Sequence, residues 1–279
     1  MCSPLTRATI CRIKGRYLKL QFTLVSKTIV IALFNQSGGV AKTTLTQNLG
    51  YHLASNQNHV LLVDMDPQSS LTNFMGVDPE SLEKTLYNAI IDEEPLFIYP
   101  ETIHEMKLVP TNITLSAAEL LLPTADAREY RLKEALAPIK DEYDFILIDC
   151  PPSLGILSIL SLTAATHLLV PIQCQFKSFL GTDLLLDTVG RVRKKLNKNL
   201  EIAGFIPTML DSRTAQETRT VNAIQEQLSQ IATIYPAIPK SIAFADASER
   251  RIPLAVYDKN HAALKIMKKI VKDLEKLKV

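Results

Sequence analysis

The sequence has almost no net charge, since 31 Lys and Arg residues face 29 Asp and Glu to leave +2. Bulk electrostatics therefore do not announce a nucleic-acid partner, and any basic surface must come from local clustering. There is no Cys-x-x-Cys pair among Cys2, Cys11, Cys150 and Cys174. That spacing argues against a zinc site and a compact disulfide framework, and fits a reducing cytoplasm. Long apolar runs are also missing. The longest, such as 28–34 and 167–172, fall far below the roughly 20 residues needed to cross a bilayer. No linker, internal repeat or low-complexity stretch divides the chain, so one large α/β domain is expected from its 279 residues. Acidic residues are absent from positions 1–27, which carry six basic ones. This segment lacks an extended apolar h-region and a small-residue cleavage site, so it reads as a basic N-terminal extension of unknown role rather than a targeting signal.

What is present is alternation. Short β-branched apolar runs at 28–34, 60–64, 107–110, 145–149, 168–172 and 202–209 predict strands. Amphipathic stretches at 42–55, 114–121, 128–139, 182–196, 214–231 and 260–277 predict helices. This is the pattern of a mostly parallel, twisted sheet with helices on both faces, in a single α/β domain spanning 28–279. Ligands of such sheets collect where strands end, and the unusual residues sit there: 37–44, 64–68, 149–152 and 173–177.

The run from Ser37 to Thr44 places Gly38 and Gly39 between a buried strand and a helix. Without a Cβ at these positions, the N–H groups of Gly38, Gly39, Val40, Ala41, Lys42, Thr43 and Thr44 can converge on phosphate. The helix starting at Lys42 adds its positive end. Lys42 is placed to reach the β and γ phosphates of ATP, and the Thr43 hydroxyl to bind Mg²⁺. Gln36 and Ala41 stand where the usual P-loop has its outer glycines, so the loop alone also fits a Gly-Gly turn before an ordinary helix. Two further segments support the phosphate reading. Asp64-Met65-Asp66-Pro67-Gln68 follows the second strand, and Asp149-Cys150-Pro151-Pro152 follows another. Carboxylates at strand ends beside a phosphate loop suit Mg²⁺, usually through its waters, or an attacking water. Acids after strands also cap helices.

With these motifs the chain resembles the ParA/MinD family of deviant-Walker ATPases from about Thr28 onward. The matches are the 37–44 loop, Asp64-Met-Asp-Pro-Gln68, Asp149-Cys-Pro-Pro152, Pro171-Ile-Gln173 followed by Gly181, and Thr208-Met-Leu-Asp211. The resemblance implies a P-loop NTPase fold and an ATP-sandwiched homodimer on nucleic acid or membrane, released when a partner stimulates hydrolysis. It further implies that Asp64 helps position the attacking water, that Gln68 lies near the nucleotide and that Asp149 supports Mg²⁺ through water. Met209 and Pro239 would lie beside adenine.

Ser37 departs from that family by replacing the lysine that reaches the partner's phosphates. A serine supplies no long-range positive charge. Lys177, after the 168–172 strand, is the candidate catalytic substitute, although an exposed lysine near a helix start would look the same. A loop without its lysine together with Lys177 resembles the carboxysome-positioning branch, McdA, with the nucleoid as matrix and a small adaptor of McdB type as partner. A plasmid or chromosome partition ParA with a ParB-type partner is the alternative identity.

Arg191, Arg193, Lys194 and Lys195 cluster near a helix end, and Arg219 extends the candidate patch. Such a patch can track DNA phosphates without reading bases, though cations favour helix C-termini in any case. The tail 263–277 has an apolar stripe opposite lysines, which suits packing on its own domain better than a membrane anchor. A cytoplasmic, nucleoid-associated protein is expected. Two rivals are a P-loop enzyme that uses ATP on a small metabolite and an iron-sulfur scaffold ATPase. Cys150 and Cys174 lack the spacing that the latter needs.

Overall fold

A computed structural model describes residues 28–175 and 181–278. The residues 1–27 and Lys177 lie outside this range. Six strands, β1 (Ile29–Leu33), β2 (Val60–Asp64), β3 (Met106–Val109), β4 (Phe145–Asp149), β5 (His167–Gln173) and β6 (Glu201–Thr208), form one sheet in the order β3-β2-β4-β1-β5-β6. Every pairing is parallel. All of β1, β2 and β4 is buried, as a sheet covered on both faces requires.

Alternation along each strand divides the core in two. Val30, Ala32 and Phe34 of the first strand region, with Leu61, Val63, Ile146 and Ile148, face one helical layer. That layer holds α3 (Leu86–Ile90), α5 (Arg131–Leu136), α6 (Ile156–Ala164), α7 (Thr182–Lys195) and α8 (Ala215–Leu228), with the short α4 (Ala118–Leu121) beside them. Ile29, Ile31, Leu33, Leu62 and Leu147 face the other. There lie α1 (Lys42–Ser55), α2 (Ser70–Phe74), α10 (Leu254–Tyr257) and α11 (Ala263–Glu275), with α9 (Ala243–Glu249) at the margin.

α1 sits close to the sheet because Gly50 has no side chain. A Cβ there would come within 2.8 Å of Leu62 Cδ2 and 2.9 Å of Met106 Sδ. The tail behaves as its stripe requires: Leu264, Met267, Ile270, Val271 and Leu274 are buried, while Lys265, Lys268, Lys269 and Lys272 are exposed. No helix among the described residues is long and apolar enough to cross a membrane.

Three expected helices are shorter than their patterns. The 128–139 stretch is helical from a 3-10 turn at Arg128–Tyr130 to Leu136, because Pro138 cannot continue it. The 214–231 and 260–277 stretches reduce to Ala215–Leu228 and Ala263–Glu275. The 114–121 stretch begins as a 3-10 turn, Ile113–Ala117, before α4. α6 was not foreseen: its residues Leu157, Ser158, Leu160, Ser161, Leu162 and Thr163 are all buried, so it has no polar stripe to betray a helical period.

Candidate functional site at the ends of β1, β2 and β4

After β1 the chain turns toward the α1 face, and after the neighbouring β4 it turns toward the α6 face. Divergence of adjacent loops opens a crevice at the carboxyl edge of a parallel sheet, where such folds bind ligands. Here the crevice lies between the 34–41 loop and Asp149–Pro152.

The loop is fixed from behind. Asn35 Nδ2 donates to the Pro171 carbonyl at 2.7 Å, and Asn35 Oδ1 accepts from the Ser37 N–H at 2.9 Å. Gln36 Nε2 donates to the Gly181 carbonyl at 2.5 Å, and the Thr208 hydroxyl to the Val40 carbonyl at 3.2 Å. β5 and β6 thus brace both shoulders. Gly39 has a φ of 73° and open space where a Cβ would stand. Ala41, the N-cap of α1, also lies in the left-handed region at φ 72°, which a non-glycine residue reaches at a cost. This explains physically why a glycine is usual at that place in P-loops.

Lys42 is 6% exposed, and its Nζ donates to the Ser37 carbonyl at 2.9 Å. Burial holds its ammonium below the usual lysine range, with the Asp149 carboxylate opposing. Asp149 is fully buried; burial and then Asp64 raise its carboxyl well above the ordinary range, against the pull of Thr43 and Lys42. Desolvation therefore exceeds mutual attraction for both charges. A polyanion at Lys42 and a dication at Asp149 would relieve each penalty. Asp149 Oδ1 accepts from the Thr46 hydroxyl at 3.4 Å, while Oδ2 is buried without a hydrogen-bond partner. An orphan oxygen on a carboxylate that lies beside the Thr43 side chain fits a hard dication that takes few protein ligands.

Two cavities adjoin here. One, of about 280 Å³, is walled by Gly38, Gly39, Lys42, Thr43, Asp66 and Pro152. The other, of about 200 Å³, is apolar and walled by Leu45, Met209, Ile238, Pro239 and Phe244. Ala41, Thr44 and Met209 line both. A polar, lysine-floored chamber opening beside an apolar slot has the shape and chemistry of a nucleotide site. Met209 at φ 57° and the bridge between Leu210 and Pro239 set the slot's wall.

Asp64 and Gln68 are on neither wall. Asp64 is fully buried, and Oδ2 accepts from the Thr72 N–H at 2.8 Å and the Thr72 hydroxyl at 2.7 Å, while Oδ1 accepts from the Asp66 N–H at 3.2 Å. Burial pushes its carboxyl up to about 7, these donors opposing. Thr72 Oγ1 in turn accepts from the Thr111 N–H at 3.1 Å, so Asp64 ties the ends of β2 and β3 to α2. Gln68 is exposed, and its N–H caps Asp66 Oδ1 at 3.0 Å. The acid on the phosphate chamber is Asp66, to which the family resemblance gave no role. It sits two residues beyond Asp64 in the same motif, and only the turn after β2 separates their surroundings.

Arg191, Arg193, Lys194 and Lys195 are all exposed on the last turns of α7, and Arg219 is exposed on α8. They are remote in sequence from the nucleotide loops, and none of them lines either cavity.

Fold and site together define a P-loop α/β nucleotide-binding protein. A family model described as an AAA domain matches residues 28–202. Soj of Bacillus subtilis, described as a sporulation initiation inhibitor, is 36% identical over 248 residues, which cover 88% of this chain and 97% of Soj. Among solved structures, a Mycobacterium smegmatis protein described as cobyrinic acid a,c-diamide synthase with ADP and magnesium superposes with a TM-score of 0.79 at 32% identity, covering 89% of this chain and 94% of that one. Cyanothece McdA, as an aspartate-to-alanine variant with ATP, gives 0.80 at 26% identity, covering 91% and 98%. The chain belongs to the ParA/MinD family of ATPases.

Proposed function

We propose that this protein is a ParA-type ATPase that binds ATP with Mg²⁺, dimerises around the nucleotide, holds DNA without sequence preference and lets go when a partner stimulates hydrolysis. The observation that carries this reading is the pair of cavities that share Ala41, Thr44 and Met209, one polar with Lys42 and Thr43 on its wall and one apolar, with Asp149 and its unpaired Oδ2 buried beside Thr43 and Lys42. The slot would take the base against Met209 and Pro239. The amides of Gly38 to Thr44 and the Lys42 ammonium would hold the phosphates. Thr43 and Asp149 would hold Mg²⁺, Asp149 through its waters, and the ion when bound neutralises charge on the transferring phosphoryl group.

Either Asp64 or Asp66 orients the attacking water, and the geometry favours Asp66. It is half-buried on the chamber wall, whereas both Asp64 oxygens are engaged behind it. The half-buried Ser37 brings no cation to this edge, and Lys177 is the proposed replacement. Exposed cations on α7 supply the DNA contact, with Arg219 as an extension, so the protein would be cytoplasmic and nucleoid-associated. The likeness to McdA, a loop lacking its lysine, and Lys177 favour carboxysome cargo with a small McdB-type adaptor; Soj favours chromosome partition with a ParB-type partner.

A different class, an enzyme spending ATP on a small metabolite, has one observation in its favour: the name attached to the M. smegmatis structure. ATP turnover by the purified chain separates the classes. The partition reading expects slow basal hydrolysis that rises on adding DNA and the partner encoded beside it, with no metabolite present. Turnover that ignores both and responds only to a metabolite would overturn it.

A further inference from the structure

A third cavity, of about 460 Å³, lies on the α3 and α5 side of the sheet, away from the nucleotide crevice. Its floor is apolar, from Ala89, Leu96, Ala135 and Ile139, and its rim carries Glu93, Glu94 and Glu134. Arg131 also faces it but pairs with Glu93, and Lys84 pairs with Glu94 at 2.7 Å. Glu134 is exposed and has no ion pair among the described residues. Just past Ile139 the 3-10 turn Lys140–Glu142 adds Asp141 and Glu142. The acids left without an ion pair among the described residues are Glu134, Asp141 and Glu142, and Lys133 and Lys140 also stand near them.

The described chain begins beside this groove. The Thr28 hydroxyl donates to the Lys140 carbonyl at 2.8 Å, one residue from Ile139 in the groove's wall. Residues 1–27 precede this point in the sequence. They carry Arg7, Arg12, Lys14, Arg16, Lys19 and Lys27 and no acid. Their last third alternates, with Leu18, Leu20, Phe22 and Leu24 in one phase and Lys19, Gln21 and Thr23 in the other. That period-2 pattern gives an extended segment one apolar edge and one polar edge. From Thr28 back to Phe22 an extended chain spans about 20 Å, so the alternating stretch starts within reach of the groove.

We infer that the basic N-terminal segment docks in this groove of its own chain, placing Leu20, Phe22 and Leu24 on the apolar floor and its cations against Glu94, Glu134 and the Asp141–Glu142 turn. Three independent features agree: the charge signs, the apolar floor facing an apolar edge, and the place of Thr28 beside the groove. Docking also withholds six cations from any polyanion. The contact is electrostatic at its rim, so it weakens with salt.

Zero-length carbodiimide cross-linking of the full-length protein, read by mass spectrometry, tests the inference. It predicts links from Lys14, Lys19 or Lys27 to Glu94, Glu134, Asp141 or Glu142, at least fivefold reduced in high salt. Links formed within one chain are expected in a mixture of isotope-labelled and unlabelled protein. Links only between chains, or links spread evenly over other acids, would overturn it, as would none at all. A second measurement uses limited trypsin digestion. Cleavage after Arg12, Lys14 and Arg16 should be at least fivefold faster in E94K/E134K than in the wild type. Both residues lie outside the nucleotide site, and Glu134 is solvent-exposed, so equal rates would contradict docking.

Discussion

Lys42 Nζ donates to the main-chain carbonyl of Ser37 at 2.9 Å, so the lysine that closes the phosphate loop is held by the residue at which the loop departs from its family. The bond uses the Ser37 backbone and therefore survives the loss of the lysine side chain usual there. Loop shape and long-range charge are thus separable. This chain keeps the first and must find the second elsewhere.

Asp66 and Asp64 are expected to behave differently despite standing two residues apart. Asp66→Ala should leave ATP binding within about threefold and slow hydrolysis by about 10²-fold or more, since it removes an acid from the chamber wall. Asp64→Ala should destabilise the fold by about 2 kcal/mol, because Thr72 and the Asp66 N–H lose their acceptor. Denaturant unfolding and single-turnover hydrolysis of both variants check this, and full turnover by Asp66→Ala would return the role to Asp64.

Strand and helix positions were legible where periodicity and burial agree. Val60–Asp64, Phe145–Asp149 and Lys42–Ser55 stand where their patterns place them. α6 was invisible because its partly exposed positions, Ile156, Ile159 and Ala164, are apolar while Ser158, Ser161 and Thr163 are buried, and α9 and α10 because they are too short to show a period. The phosphate loop could be read from its glycines. The different surroundings of Asp64 and Asp66 could not, because they depend on how Thr72 on α2 folds back under β2.

Ala41 occupies a left-handed conformation at φ 72°, which costs a non-glycine residue about 1–2 kcal/mol. Ala41→Gly removes that strain and returns part of it as unfolded-state entropy, of order 0.5–1 kcal/mol. The net expectation is a gain in Tm of about 2 °C, measurable by calorimetry of the nucleotide-free protein. A fall in Tm would show that the Ala41 methyl, which lines both cavities, contributes more by packing than it loses by strain.

The Asp64 carboxyl is raised from 3.8 to about 7 in the folded protein, so the folded state holds its proton more tightly than the unfolded chain does. Its contribution to stability is complete below 3.8 and is lost as pH rises through 7. His52, which burial and Lys268 lower to about 4, acts in the opposite sense between about 4 and 6.5. Comparison with Asp64→Asn cancels it. The stability of the wild type relative to Asp64→Asn should therefore decline steadily from pH 4.5 to pH 7.5 in urea titrations, and a constant difference would contradict the burial argument.

Reversing two cations on α7, in Arg193→Glu with Lys194→Glu, should weaken DNA binding at every sequence tested and reduce the slope of log affinity against log salt by about 2. Basal ATP hydrolysis should stay unchanged, since neither residue lines the nucleotide cavities. Unaltered affinity would place the DNA contact on another face.

Isothermal titration of ATP into the wild type and into Lys42→Ala, each with and without Mg²⁺, bears most directly on the junction of the two cavities. The expected result is one nucleotide per wild-type chain, tightened by Mg²⁺, and no measurable uptake by Lys42→Ala. Equal binding by the two proteins, or none by the wild type, would contradict the account.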